Sequence, residues 1–226
     1  MEDARFPLNF GLLLCLVLIL NVAYFAFTID PANVSVSLDE SGPVETFQLA
    51  YLAGATVLFL AAGLMSSKAS RMFCVGMSVL CIVFFLRELE IAKSGPVTGY
   101  LNSKVFRLHE AIIVAGLAAL YLTFYWRYVG QIARFVLSRA AWPFYVAAVL
   151  LLMGAYFDYR HGTVPMQIRE EISESASYLS LMAIAAALCY QYSRGTTRKR
   201  LVDTLILSVI VVIFVSACLL TDFVQS

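Results

Sequence analysis

The sequence predicts an all-α fold: a bundle of seven transmembrane helices with the N-terminus cytoplasmic and the C-terminus extracytoplasmic. Three observations predict it. Of the 226 residues, 61% are hydrophobic and 14% charged, against about 45–50% and about 25% in soluble domains. Seven stretches are apolar over roughly the 20 residues that a helix needs to cross the hydrocarbon core. Lys and Arg divide unequally between the two sets of loops that those stretches create. The composition argues against a soluble globular domain, and so much apolar surface is incompatible with disorder. A net charge of +1 leaves no basic excess to neutralise phosphates, which argues against a nucleic-acid binder.

The stretches fall at about 8–28, 46–66, 72–92, 108–128, 142–159, 171–192 and 203–223. The first, PLNFGLLLCLVLILNVAYFAF, reads as a retained helix. The preceding MEDAR is not positively charged, and the run is longer than the 7–15 residues typical of a signal-peptide core. The second begins after Glu45, the third ends in FFLRELEI, and the fourth opens at LHE. The fifth runs from Trp142 to AYFDY, the sixth opens on REEISESASY, and the seventh is DTLILSVIVVIFVSACLLTDF. The chain reads as one integral membrane domain over residues 1–226, with its longest connections at about 30–45, 93–107 and 160–170. Its five cysteines all lie inside spans, form no CxxC pair, and read as small packing residues.

Charge sets the orientation. One face collects Arg5, Lys68, Arg71, Arg127, Arg134, Arg139, Arg194, Arg198, Lys199 and Arg200; the other collects Arg87, Lys93, Lys104, Arg107, Arg160 and Arg169. The positive-inside rule places the richer face, which carries the N-terminus, in the cytoplasm. Trp126 and Trp142 lie near that boundary, as interfacial aromatics do. The run RGTTRKR at 194–200 reads as a topology-fixing loop. An Asn-Val-Ser sequon at Asn33 lies on the outer face and carries little weight.

The acids concentrate on that outer face, with both histidines. Glu88 ends the third span beside Arg87, with Glu90 close behind, and Glu45 opens the second. His109 and Glu110 open the fourth, and Asp158 ends the fifth with His161 three residues on. Glu170, Glu171 and Glu174 open the sixth. Glu170 and Glu174 (i,i+4), Glu171 and Glu174 (i,i+3), and Ser173 and Ser177 (i,i+4) share helix faces. Asp158 and His161 share one only if the fifth helix continues to Gly162, and the adjacent His109 and Glu110 point about 100° apart. Ionisable groups at membrane depth usually face a bundle interior or a water-filled cavity, so these residues are the candidate site. His109, Asp158, His161 and Glu171 are the candidate ligands of a divalent metal such as Zn²⁺, Mn²⁺ or Ca²⁺. Zn²⁺ would lower the pKa of a bound water to about 7. Glu88 or Glu174 could then act as general base, and Arg87 could pair with a carboxylate or hold an anionic group. Glu45, Glu90, Asn102, Glu110 and Glu170 are candidates for substrate or partner binding. A structural reading stands beside this one. Glu at a helix N-terminus stabilises the dipole, and no HExxH, ExxH or HxxxH ligand spacing is present.

At FFLRELEI, NSKVFRLHE and REEISE the sequence resembles a widespread group of bacterial polytopic membrane proteins with acidic motifs at helix ends. The matching positions are Glu45, Arg87, Glu88, Glu90, Asn102, His109, Glu170, Glu171 and Glu174. The resemblance implies a multi-pass protein of the bacterial inner membrane. The seven-span layout with one polar end is also similar to the alkaline ceramidase and adiponectin-receptor superfamily of zinc-dependent lipid amide hydrolases. That superfamily carries an HxxxH in its last span. Here the span at 203–223 has no histidine, and two histidines in all cannot build a three-histidine zinc site. A retinal-binding reading fails because none of the four lysines lies in that span.

Three functions stay open. The first choice is a binding or assembly module, a sensor or envelope-complex subunit in contact with membrane lipids and another membrane protein. The alternative is a metal-assisted hydrolase of a lipid or lipid-linked substrate. The third is a proton-coupled transporter, disfavoured by the lack of midplane charges and inverted repeats.

Overall fold

The computed structural model describes residues 4–29, 43–88, 103–160 and 163–193. All regular structure among them is helical: α1 (Leu8–Thr28), α2 (Pro43–Met65), α3 (Lys68–Glu88), α4 (Lys104–Val136), a 3₁₀ turn (Arg139–Ala141), α5 (Trp142–Tyr159) and α6 (Val164–Ser193). By length and composition six helices among the described residues can cross a membrane, which supports a multi-pass membrane architecture. The stretch at 203–223 lies outside the described residues, as do Asn33, the run at 194–200 and Cys218.

Helix α6 is the centre of the bundle. It packs along α2 on one side and α5 on the other, while α3 packs along α2, and α1 and α4 make lighter contacts with α6 and α3. The reason is legible in SESASYLSLMAIAAAL. Its Ser173, Ser175, Ala176, Ser177, Ser180 and Ala185 are all buried, and small side chains let helix backbones approach closely in a membrane. Ala55 and Ala62 of α2 and Ala147 and Gly154 of α5 answer them. At the α2–α3 contact a Cβ on Gly63 would already touch Val75 at 3.0 Å. The outer surfaces of α1 and α4 carry exposed Leu12, Leu16, Ile19, Ile112, Leu120 and Phe124, as lipid-facing surfaces do.

Several polar side chains inside the bundle hydrogen-bond within it, as a medium without water favours. The hydroxyls of Ser173 and Ser180 donate back to the carbonyls of Arg169 and Ala176 within α6. Ser177 donates to the Ala147 carbonyl of α5 at 2.8 Å, and Ser78 of α3 to the Thr56 carbonyl of α2 at 3.0 Å. The cysteines divide: Cys74, Cys81 and Cys189 are buried packing residues, while Cys15 is exposed.

Several boundaries differ from the sequence reading: α3, for one, begins at Lys68 rather than 72, so Lys68 and Arg71 stand in its first turn rather than in a loop. Helix α6 begins at Val164 rather than 171, because Pro165 is accommodated within its first turn, where a missing N–H costs nothing. The connection at 160–170 shrinks accordingly. The descriptions of Glu170, Glu171 and Glu174 as first-turn residues are therefore corrected: none is in the first turn. Helix α4 runs from Lys104 to Val136, so Glu110 and Arg127 are also within the helix rather than at its start or in a loop. At 33 residues it is about 50 Å long, more than a bilayer core, and it bends at Tyr125, whose backbone leaves helical geometry (φ −111°, ψ 18°). Trp126 follows that bend and is exposed. Glu45 does stand in the first turn of α2.

The described connections are short. Ser66 and Ser67 alone join α2 to α3, and the Arg71 guanidinium closes the corner by donating to the Ser66 carbonyl at 3.1 Å. The start of α1 is tied to the start of α5 through Phe6, Phe10, Phe144 and Trp142, whose indole N–H donates to the Phe6 carbonyl. It is tied to the end of α6 through Gln191, which bonds both the N–H and the carbonyl of Arg5. One end of the bundle thus gathers Arg5, Lys68, Arg71, Arg134 and Arg139, and the other gathers the acids.

Candidate functional site

The acidic end is organised around three successive turns of α6. Glu171, Glu174 and Tyr178 follow one another at i,i+3 and i,i+4 spacing, which places them on one face. The face meets the end of α3, where the last turn supplies Arg87 and Glu88.

The Arg87 guanidinium binds the Glu174 carboxylate at 2.9 Å and the Glu88 carboxylate at 3.0 Å. The Tyr178 hydroxyl donates to the same Glu88 oxygen at 2.8 Å. One basic and two acidic side chains and a phenol therefore form a continuous chain, Glu174–Arg87–Glu88–Tyr178. Ions at this depth are tolerated because each is paired and hydrogen-bonded. Burial is graded: Tyr178 is fully enclosed, the Glu174 and Glu88 side chains are 10% and 14% exposed, and Arg87 is 53% exposed. The guanidinium is held from inside while part of it faces outward.

Gly154 of α5 makes room for this arrangement. A Cβ there would lie 2.7 Å from Cγ of Glu174, closer than two carbons can approach without displacement. One turn away, the buried Gln48 of α2 donates its amide to the Glu171 carboxylate at 2.8 Å and reaches the Glu171 carbonyl at 3.3 Å. Deeper on α6, Ser175 meets Asn21 of α1, which also accepts from the Tyr51 hydroxyl at 3.0 Å. Tyr24, Phe25 and Phe47 pack edge-to-face between α1 and α2 beside this seam, and Tyr51 lies tilted against Phe47.

The structure brings together Arg87, Glu88, Glu171 and Glu174 of the sequence-derived set. His109 on α4 and Asp158 at the end of α5 are exposed; Glu45 and Glu170 are half-buried. Helix α5 ends at Tyr159, with Arg160 as its cap, before His161. Glu90, Asn102 and His161 lie outside the described residues, and of Glu110 only the helical backbone is described. Among the described residues no group of three or more His, Cys, Asp and Glu side chains is arranged to hold a metal ion.

Sequence reasoning passed over Gln48, Gly154, Tyr178 and the Asn21–Tyr51–Ser175 seam. Tyr178 was recoverable, because it continues the Glu171–Glu174 face by one turn. Gln48 and Gly154 belong to other helices, and no spacing within one helix reveals which residue faces which across a bundle.

No protein-family model, curated protein or solved structure matches the chain.

Proposed function

We propose that the chain is a binding or assembly module of the bacterial inner membrane, whose acidic end engages another membrane protein through the Arg87–Glu88 pair. On this reading the stretch at 203–223 is a seventh span, the N-terminus is cytoplasmic and the C-terminus extracytoplasmic. The sequence count supports that orientation by the positive-inside rule, with ten Lys and Arg on the face that carries the N-terminus against six on the other.

One observation carries the functional reading. Arg87 is anchored by two carboxylates yet half-exposed. A charge whose geometry is fixed before encounter loses little freedom on binding, which is how a preorganised contact gains affinity, and Arg is well suited to grip a partner carboxylate or carbonyl. Glu88 and Glu174, the candidate general bases, here serve as the anchors of Arg87, each through its Oε1 atom, which is the arrangement of a preorganised binding group.

The test is purification of tagged full-length protein from its native membrane, with partner stoichiometry measured beside melting temperature. Wild type is expected to retain a stoichiometric partner. Glu88→Gln is expected to keep its fold and lose that partner; retention of the partner in Glu88→Gln at wild-type stoichiometry contradicts the reading.

A further inference from the structure

At the end of the bundle opposite Arg87 lies a cavity of about 710 Å³ that the acidic site does not use. Helix α3 spans 21 residues from Lys68 to Glu88, so the two ends are roughly 30 Å apart. The cavity opens between the segment before α1, the α2–α3 corner, the last turns of α4 and the turn before α5. We propose that it is a binding site for a phosphate-bearing anion.

Charge comes first. Arg5, Lys68 and Arg134 line the cavity from three separate segments, and none of the described residues lining it is acidic. Three cations around one concavity repel one another, so the site gains from a bound anion, and the described residues lining it supply no counter-charge to displace. Hydrogen-bonding capacity comes second. Ser67 and Ser70 contribute hydroxyls and Gln131 an amide, donors suited to the several oxygens of a phosphate group, while the Ser138 hydroxyl is already engaged with the Phe135 carbonyl at 2.7 Å. The volume falls within the ordinary range for small-ligand sites, about 300–1,000 Å³.

The backbone adds an independent sign. Lys68 enters α3 with φ 52°, a left-handed conformation that a β-carbon disfavours and glycine adopts freely. Such outliers concentrate at ligand clamps and active sites, and here a lysine holds the position at the cavity wall. Around it the scaffold is braced: Gln191 grips both backbone polar groups of Arg5, and Arg71 locks the Ser66 corner. Arg134 donates back to the Gly130 carbonyl at 3.3 Å within its own helix, which steadies its stem.

Arg5, Lys68 and Arg134 are all exposed, so a phosphate group bound here could belong to an anionic lipid headgroup, since basic pockets between helix ends bind such headgroups, or to a free phosphate ion. The experiment uses the purified full-length protein. Retention of phosphatidylglycerol and cardiolipin is measured by native mass spectrometry, and binding of inorganic phosphate by equilibrium dialysis. The variant K68G/R134Q removes two charges while relieving the left-handed backbone, so it is expected to fold. Arg160→Gln, at the far end of α5, serves as the off-site control. Saturable binding of either probe that weakens by about tenfold or more in K68G/R134Q, and is unchanged in Arg160→Gln, supports the site. Lipid alone then identifies a headgroup, and inorganic phosphate a free anion. Should K68G/R134Q not fold, R5Q/R134Q carries the same comparison. Failure of the wild type to bind either probe, or equal affinity in the charge-depleted variant, overturns it.

Discussion

The Arg87 guanidinium of α3 and the Glu174 carboxylate of α6 meet at 2.9 Å, although α3 packs chiefly along α2. The side chains therefore bridge two helices whose backbones are not principal neighbours. Arg87→Gln leaves Glu174 and Glu88 without their cation. Breaking a fully buried pair costs about 3–5 kcal/mol; with Arg87 half-exposed, about 1–2 kcal/mol is expected. A double-mutant cycle with Glu174→Gln, read by reversible unfolding in detergent, should show positive coupling. Independent effects would mean that the pair is incidental.

Gly154 and Glu174 give a prediction of sign. Alanine is favoured over glycine in a helix by about 1 kcal/mol, but the added methyl would lie 2.7 Å from Cγ of Glu174, an overpacking of about 1–3 kcal/mol. Gly154→Ala is expected to destabilise the wild type and to stabilise a Glu174→Ala background. Melting temperatures of the four proteins decide it, and an identical shift in both backgrounds would contradict the proposed contact.

Tyr178 is fully buried and donates to Glu88 at 2.8 Å. Removing a hydrogen bond to a charged acceptor costs about 1.5–3 kcal/mol, so Tyr178→Phe should lower stability by that amount with no change in packing. Equilibrium unfolding measures the loss, and a neutral result would place the phenol outside the cluster's energetics.

The Asn21 seam should matter less. Asn21 links Tyr51 of α2 to Ser175 of α6 through neutral contacts of 3.0–3.5 Å. Interhelical hydrogen bonds in membranes average only about 0.6 kcal/mol, so Asn21→Leu is expected to cost about 1 kcal/mol. A loss comparable to that of Tyr178→Phe would show that the two polar layers are coupled.

Much of this was legible in the chain. The six described helices announced themselves by length and apolarity, because a membrane leaves helices with little choice but to satisfy their own backbones. The acidic end was legible from Arg87, Glu88, Glu171 and Glu174, since charge at helix ends alternates sides predictably. The start of α6 was not: the polar segment VPMQIRE lacks the apolar signature of a span yet continues the same helix beyond it. The partners Gln48 and Gly154 were hidden because rotation of a helix about its axis depends on its neighbours, and α2, α5 and α6 fix one another.

The central claim is that the Arg87–Glu88 end binds a membrane partner. The most direct measurement is partner stoichiometry in full-length protein purified from its native membrane, compared for wild type and Glu88→Gln at matched melting temperature. A stoichiometric partner present in wild type and lost from a folded Glu88→Gln protein is the predicted result. The same partner recovered in full with Glu88→Gln, or lost only in proportion to unfolded protein, would contradict it.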